Sequence, residues 1–142
     1  MEDSKIDRAS LAKEYFSQGY NCCTSVVLAF EDETGLDKQT ILKLTSSFGG
    51  GMGRLKEVCG AVSGMFMVAG LKYGYVTPGM TDEKVEHYKL IQKMAGRFRE
   101  KNGSILCRDL LDEEKDPHHG ICAHLVEDAV RILEEEIKQK EQ

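Results

Sequence analysis

The segment EVCGAVSGMFMVAGLKY, residues 57–73, decides the fold. Valine, methionine, phenylalanine, alanine and leucine leave it apolar on nearly every side. A helix without a polar face packs at the centre of its domain. Gly60, Ser63, Gly64, Gly70, Lys72 and Gly74 interrupt the run as it continues to Val76. It is therefore too short and too rich in small residues for a membrane span. Gly60 and Gly64 fall on one face of this predicted helix, where a neighbouring backbone can approach closely. The functional reading is that another helix start, bearing a second cysteine, comes beside Cys59. Ordinary tight packing is the simpler alternative.

Working outward, helical periodicity dominates, and only two prolines, Pro78 and Pro117, occur in the 142 residues. Ile6, Ala9, Ala12 and Phe16 form a first stripe. Asn21 is an N-cap for a second helix reaching about Phe30, and Gly35 closes the following turn. Asp37 caps a third helix with Ile41, Leu42 and Leu44 facing inward. Phe48–Gly53 is a glycine loop that cannot be helical at acceptable cost. The central helix spans about Glu57–Tyr73. Thr81 caps a long fifth helix with the stripe Val85, Tyr88, Ile91, Met94 and Phe98, stopped by Asn102-Gly103. Ser104 caps a short sixth helix. After a charged loop, the last helix runs from about Ile121 to Lys138, with Cys122, Leu125, Val126, Ala129, Val130, Leu133 and Ile137 on one face. Glu134, Glu135 and Glu136 read as a solvated helix end. The expectation is an all-α fold: one compact domain, residues 1–142, of about six or seven helices around the central apolar helix. Residues 1–5 and 139–142 are expected to fray.

The formal charge of −5 argues against a nucleic-acid binder. The opening Met-Glu-Asp-Ser-Lys is not a basic start followed by an apolar run, so no secretory signal is expected. A reducing, cytoplasmic setting is then the default. Cysteines there more often bind metal or do chemistry than form permanent disulfides.

The five cysteines are Cys22, Cys23, Cys59, Cys107 and Cys122. No Cys-x-x-Cys pair exists, which removes the thioredoxin motif and the usual zinc-ribbon spacing. Any site must be assembled by tertiary folding. The predicted caps place these cysteines in or near a first helical turn, where free N–H groups and the helix dipole favour a thiolate. The thiolate is both the nucleophile and the metal ligand, so this pattern supports redox or metal chemistry without choosing. The bland reading is that a cysteine is a small buried hydrophobe.

Gly19-Tyr20-Asn21-Cys22, then Phe48-Gly49-Gly50-Gly51-Met52-Gly53-Arg54, then Cys59-Gly60-Ala61-Val62-Ser63-Gly64, followed by Cys107 and Cys122, resembles a family of redox-active proteins named for its cysteine pattern, C-GCAxxG-C-C. The resemblance runs from about Phe16 to Leu133. It implies four family cysteines, Cys22, Cys59, Cys107 and Cys122, as the redox candidates, with Cys23 as the extra one. The substrate or redox partner is left open.

The glycine loop lacks the Gly-Lys-Ser/Thr of a nucleotide-binding loop. Its backbone at Gly49, Gly50 and Gly51, helped by Arg54 and Lys56, is a weak candidate for holding an anion; a turn that lets the chain pass close to the site is the simpler reading. His118, His119 and His124 flank Cys122, and the first two sit in a polar loop that reads as solvated. Three classes of function follow. A dithiol redox protein uses a reversible disulfide, acting on a redox partner or a small molecule. A metal module holds zinc or an iron–sulfur cluster on the thiolates of Cys22, Cys59, Cys107 and Cys122. A helical interaction domain leaves its cysteines inert. Whether the chain acts as an enzyme is open. No nucleic acid and no membrane span are expected, and a homodimer is one way to cover the apolar helix.

Overall fold

The structure, a computed structural model, describes residues 6–142. The expected fraying of residues 1–5 therefore lies outside the described residues. The fold is all-α. Helices α1 (Arg8–Ser17), α2 (Cys22–Leu28), α3 (Glu31–Thr34) and α4 (Lys38–Thr45) lead through a 3-10 turn to α5 (Gly49–Met52). Then come α6 (Gly60–Tyr73), α7 (Asp82–Asn102), α8 (Cys107–Leu110) and α9 (Gly120–Lys140). Three of these, α3, α5 and α8, are single turns. The one β pairing among the described residues is an isolated antiparallel bridge between Val58 and Leu106.

The helix starts follow local chemistry. The Asn21 side chain accepts from the Thr24 amide at 2.8 Å, Asp37 from Thr40 at 2.7 Å and Thr81 from Lys84 at 3.2 Å. Each satisfies an amide that the helix itself leaves free. Gly35 and Gly103 end α3 and α7 in the left-handed conformation that glycine tolerates best.

Helix α6 is the centre. It packs most extensively on α2 and also touches α3, α5, α7 and α9, while α1 lies against α9. Ala61, Val62, Met65, Val68 and Ala69 of α6 are fully buried. Against them pack Val26 and Val27 of α2, Met94 and Phe98 of α7, and Val126, Ala129 and Val130 of α9. Among the described residues no helix is long and apolar enough to cross a membrane.

Several elements differ from the expectation. Helix α6 begins at Gly60 because residues 57–59 are drawn into an extended pairing with residues 105–107. On α7 the inward face is Leu90, Met94, Ala95 and Phe98, whereas Val85 and Tyr88 remain substantially exposed. Tyr88 instead packs edge-on against Tyr75, with the two hydroxyls 3.0 Å apart. Leu44 and Ile6 are also exposed. Ser104 does not cap a helix. Its hydroxyl accepts from the Leu106 amide and bonds Asp109, making a turn before α8, which starts at Cys107 without a side-chain cap. Glu136 is buried between Lys93 and Arg97 of α7, at 3.2 and 3.0 Å, and so is part of the α7–α9 seam rather than a solvated end.

The α2–α6 seam rests on a glycine. A Cβ at Gly64 would lie 2.9 Å from the Cys23 carbonyl oxygen and 3.0 Å from the Val26 Cβ, whereas one at Gly70 meets nothing within 4 Å. Gly64→Ala is expected to destabilise the fold by about 1–2 kcal/mol, the overpacking penalty less the gain in helix propensity. Gly70→Ala on the same helix is expected to be neutral or to stabilise by up to about 1 kcal/mol. Urea unfolding of the two variants checks the contrast.

Candidate functional site

The cysteines are gathered by backbones that pass at unusually short range. A Cβ at Gly60 would lie 2.9 Å from the Phe48 carbonyl oxygen, 3.1 Å from the Cys23 amide nitrogen and 3.2 Å from the Cys22 Cβ. At Gly51 it would lie 2.7 Å from the Cys107 Cβ, and at Gly49, 2.8 Å from the Asn21 Cβ. Side chains are missing where a cysteine-bearing segment, or the residue capping one, crosses. The expected close approach of a cysteine-bearing helix start to α6 is thus present, made by α2.

The glycine run is a left-handed turn, not an irregular loop. Gly50, Gly51, Met52, Gly53 and Arg54 have φ of 65°, 71°, 67°, 60° and 67°, and Lys56 has 63°. The Arg54, Lys56 and Glu57 amides donate to the Gly49, Gly50 and Gly51 carbonyls at 3.1, 3.2 and 3.0 Å. Each non-glycine residue held this way costs about 1–2 kcal/mol, so the turn needs its glycines. Beyond it the chain straightens and is latched. The Cys59 amide donates to the Ile105 carbonyl at 2.8 Å, and the Cys107 amide donates to the Glu57 carbonyl at 2.6 Å. Arg108 pairs with Glu57 at 2.6 Å. One latch therefore sets the backbones of two cysteines.

Cys122 arrives from the other end of the chain, in the first turn of α9. The Asp116 carboxylate caps that helix, accepting from the Gly120 and Ile121 amides at 2.9 and 2.8 Å. His119 precedes it in the left-handed conformation, with φ of 57°.

Cys22, Cys59, Cys107 and Cys122 all line one cleft of about 900 Å³. The left-handed turn supplies Gly49, Gly50, Gly51, Arg54 and Lys56 to the same cleft. Cys23 does not line it. It is fully buried, with its sulfur 3.8 Å from that of Met67. His118 and His119 border the cleft from the polar loop, where His118 is exposed and His119 partly so, as expected of a solvated segment. His119 Nε2 is 3.2 Å from Glu113, which also pairs with Lys56 at 3.1 Å. His124 is outside, beside Asp128 at 3.2 Å. Among the described residues no group of three or more His, Cys, Asp or Glu side chains is arranged to hold a metal ion.

The electrostatics correct one expectation. All five cysteines do sit at a helix cap or in a first turn, yet most are not primed as thiolates. Burial pushes Cys23 up to about 12 and Cys59 to about 11, the latter despite the amides of Ala61 and Val62 facing its sulfur. Burial also raises Cys107, against the opposing pull of Lys56. Cys22 and Cys122 are neighbours on the cleft whose ionisations are linked. Cys22 is raised, chiefly by the neighbouring Cys122 sulfur and by burial, and Cys122 is lowered, chiefly by the Cys22 sulfur and with help from Lys56, against burial and Asp116. Of the four cysteines on the cleft, Cys122 is the one shifted toward the thiolate, and Cys22, Cys59 and Cys107 are shifted toward the thiol.

The family model described as "Putative redox-active protein (C_GCAxxG_C_C)" matches residues 20–136. No curated protein and no solved structure matches the chain.

Iodoacetamide labelling of the reduced protein near pH 7 should modify Cys122 first and leave Cys23 untouched until the protein is unfolded. Since the Cys22 thiol stabilises the charged form of Cys122, Cys22→Ala should move the midpoint of the Cys122 pH–rate profile upward and slow labelling several-fold at neutral pH. Cys22→Ser, which keeps a donor, should largely restore it. Mass spectrometry of the labelled peptides reads both results.

Proposed function

The chain belongs to the C_GCAxxG_C_C family of redox-active proteins, and from that premise we propose that its cleft is a thiol–disulfide centre in which Cys22 and Cys122 are the exchanging pair. The observation that carries this reading is that Cys22 and Cys122 line one cleft, with each sulfur the chief influence on the other's ionisation. A bridge between them requires Cα atoms within about 7 Å of each other.

The step is a two-electron exchange. The Cys122 thiolate attacks one sulfur of a disulfide substrate, forming a mixed disulfide and expelling the first substrate thiolate. The Cys22 thiol then gives up its proton and attacks the Cys122 sulfur. The Cys22–Cys122 disulfide forms as the second substrate thiolate leaves, carrying the proton away as a thiol. The substrate disulfide is reduced by two electrons and the protein is oxidised by two; the reverse sequence regenerates the dithiol. Attack rates follow both the thiolate fraction and the nucleophilicity of the attacking sulfur, so a modest lowering of Cys122 suits the role. Cys59 and Cys107 rest as protonated thiols bordering the pair, to which the disulfide can pass by further exchange. In the cytoplasmic setting proposed for the chain, glutathione and thioredoxin systems hold the resting state as the dithiol.

Mild oxidation of the reduced protein with diamide, followed by non-reducing peptide mapping, should recover one dominant bridge, Cys22–Cys122. Cys122→Ser should lose it, with Cys23 never appearing in a bridge. Protein purified without oxygen that carries about one zinc, or an iron–sulfur cluster, on protected thiols would instead establish the metal module. Five thiols inert to oxidation would leave the interaction domain.

A further inference from the structure

The cleft has a chemical polarity of its own. Four cysteines line it, and the left-handed turn brings Arg54 and Lys56 to the same lining. The two cations are differently engaged. Lys56 is paired with Glu113 at 3.1 Å. Arg54 enters none of the ion pairs among the described residues and is exposed. Its position is nonetheless built. A Cβ at Gly50 would lie 2.9 Å from the Arg54 Cγ, so the arginine stem lies back across a glycine that leaves room for it. Lys56 and Glu113 offset each other, which leaves Arg54 as the cationic side chain lining this cleft outside an ion pair among the described residues. A low-dielectric cleft concentrates such a field on whatever enters it.

We propose that the substrate of the cleft is a small disulfide, or the corresponding thiol, that carries a carboxylate which Arg54 engages while its sulfur meets Cys122. The proposal rests on the Cys22–Cys122 reading. The cleft's volume of about 900 Å³ is in the range of small-molecule sites. A planar guanidinium engages a carboxylate through two parallel hydrogen bonds. One uncompensated cation matches a single carboxylate better than a phosphate dianion. Arg54 positions the substrate and takes no part in the electron transfer. The reaction it serves is RS–SR plus the Cys122 thiolate and the Cys22 thiol, giving the Cys22–Cys122 disulfide, one RS⁻ and one RSH.

The test compares three symmetrical disulfides as oxidants of the reduced protein at low ionic strength: 3,3′-dithiodipropionate (anionic), 2-hydroxyethyl disulfide (neutral) and cystamine (cationic). Each rate is divided by that of the same disulfide with 2-mercaptoethanol, which removes intrinsic reactivity. The dicarboxylate should exceed the neutral compound by about five-fold or more, cystamine should lag behind both, and the advantage should shrink in about 1 M salt. Arg54→Gln should bring the anionic-to-neutral ratio to within about two-fold. Arg54→Gly, which the left-handed backbone favours, should do the same, guarding against a folding defect. Arg99→Gln, the same charge change on exposed α7, should leave the ratio as in the unaltered protein. Equal normalised rates, or a ratio that survives both Arg54 substitutions, would overturn the carboxylate proposal while leaving disulfide exchange in place. Failure of all three disulfides to form the Cys22–Cys122 bridge would overturn the exchange reading and this proposal with it.

Discussion

The contact between the start of α2 and the start of α6 is the constraint on which the structure depends. Two helix backbones approach this closely only where side chains are missing, and Gly60 and Gly64 supply the gap. Their spacing of one helical turn puts both on the α6 face that meets Cys22, Cys23 and Val26. The same face fixes which of two adjacent cysteines is available. Cys22 reaches the cleft, while its neighbour Cys23 is turned into the core beside Met67. Residues one apart on a helix point in different directions, so a vicinal pair divides into one chemical and one structural cysteine. Gly51 repeats the device at Cys107, where a Cβ would collide with that residue's own. The glycines of the motif are thus explained as points where backbones cross, and the cysteines as what the crossing segments carry.

Two physical effects then compete over the sulfurs. A helix terminus favours a nearby anion by about 0.3–1 kcal/mol, less than one pKa unit. Desolvation disfavours it by as much as 3–5 units when a group is fully buried. At Cys23 and Cys59 burial therefore wins although both sit at helix starts. Cys122 moves the other way, lowered chiefly by the neighbouring Cys22 sulfur. The four cleft cysteines are therefore inequivalent: three are raised and Cys122 alone is lowered.

What could be read in the sequence was what local chemistry decides. Asn21, Asp37 and Thr81 cap helices because the hydrogen bond spans three residues. The central position of α6 follows from its lack of a polar face, and the four family cysteines followed from the resemblance. The residues that were misread are those whose partners lie far along the chain. The start of α6 is moved by residues 105–107, and Glu136 is buried by cations on α7. The left-handed turn was readable only as an inability to form a right-handed helix; Met52, Arg54 and Lys56 carry no signal for positive φ. The Asp116 cap was missed because the carboxylate reaches Gly120 and Ile121 across an intervening proline and two histidines, not from the usual capping position. The thiol pKa values were misjudged because helix position is legible in a sequence and burial of a particular sulfur is not.

The central claim is that two of the five thiols form a single reversible redox couple, and an equilibrium redox titration tests it most directly. The protein, prepared without oxygen, is equilibrated across a series of reduced-to-oxidised dithiothreitol ratios, and the free thiols are counted at each. The account predicts one two-electron transition in which two thiols are lost and recovered together, with Cys23 titrating only after unfolding. A thiol count that stays constant across the series, or that is low throughout because metal holds the sulfurs, would contradict it.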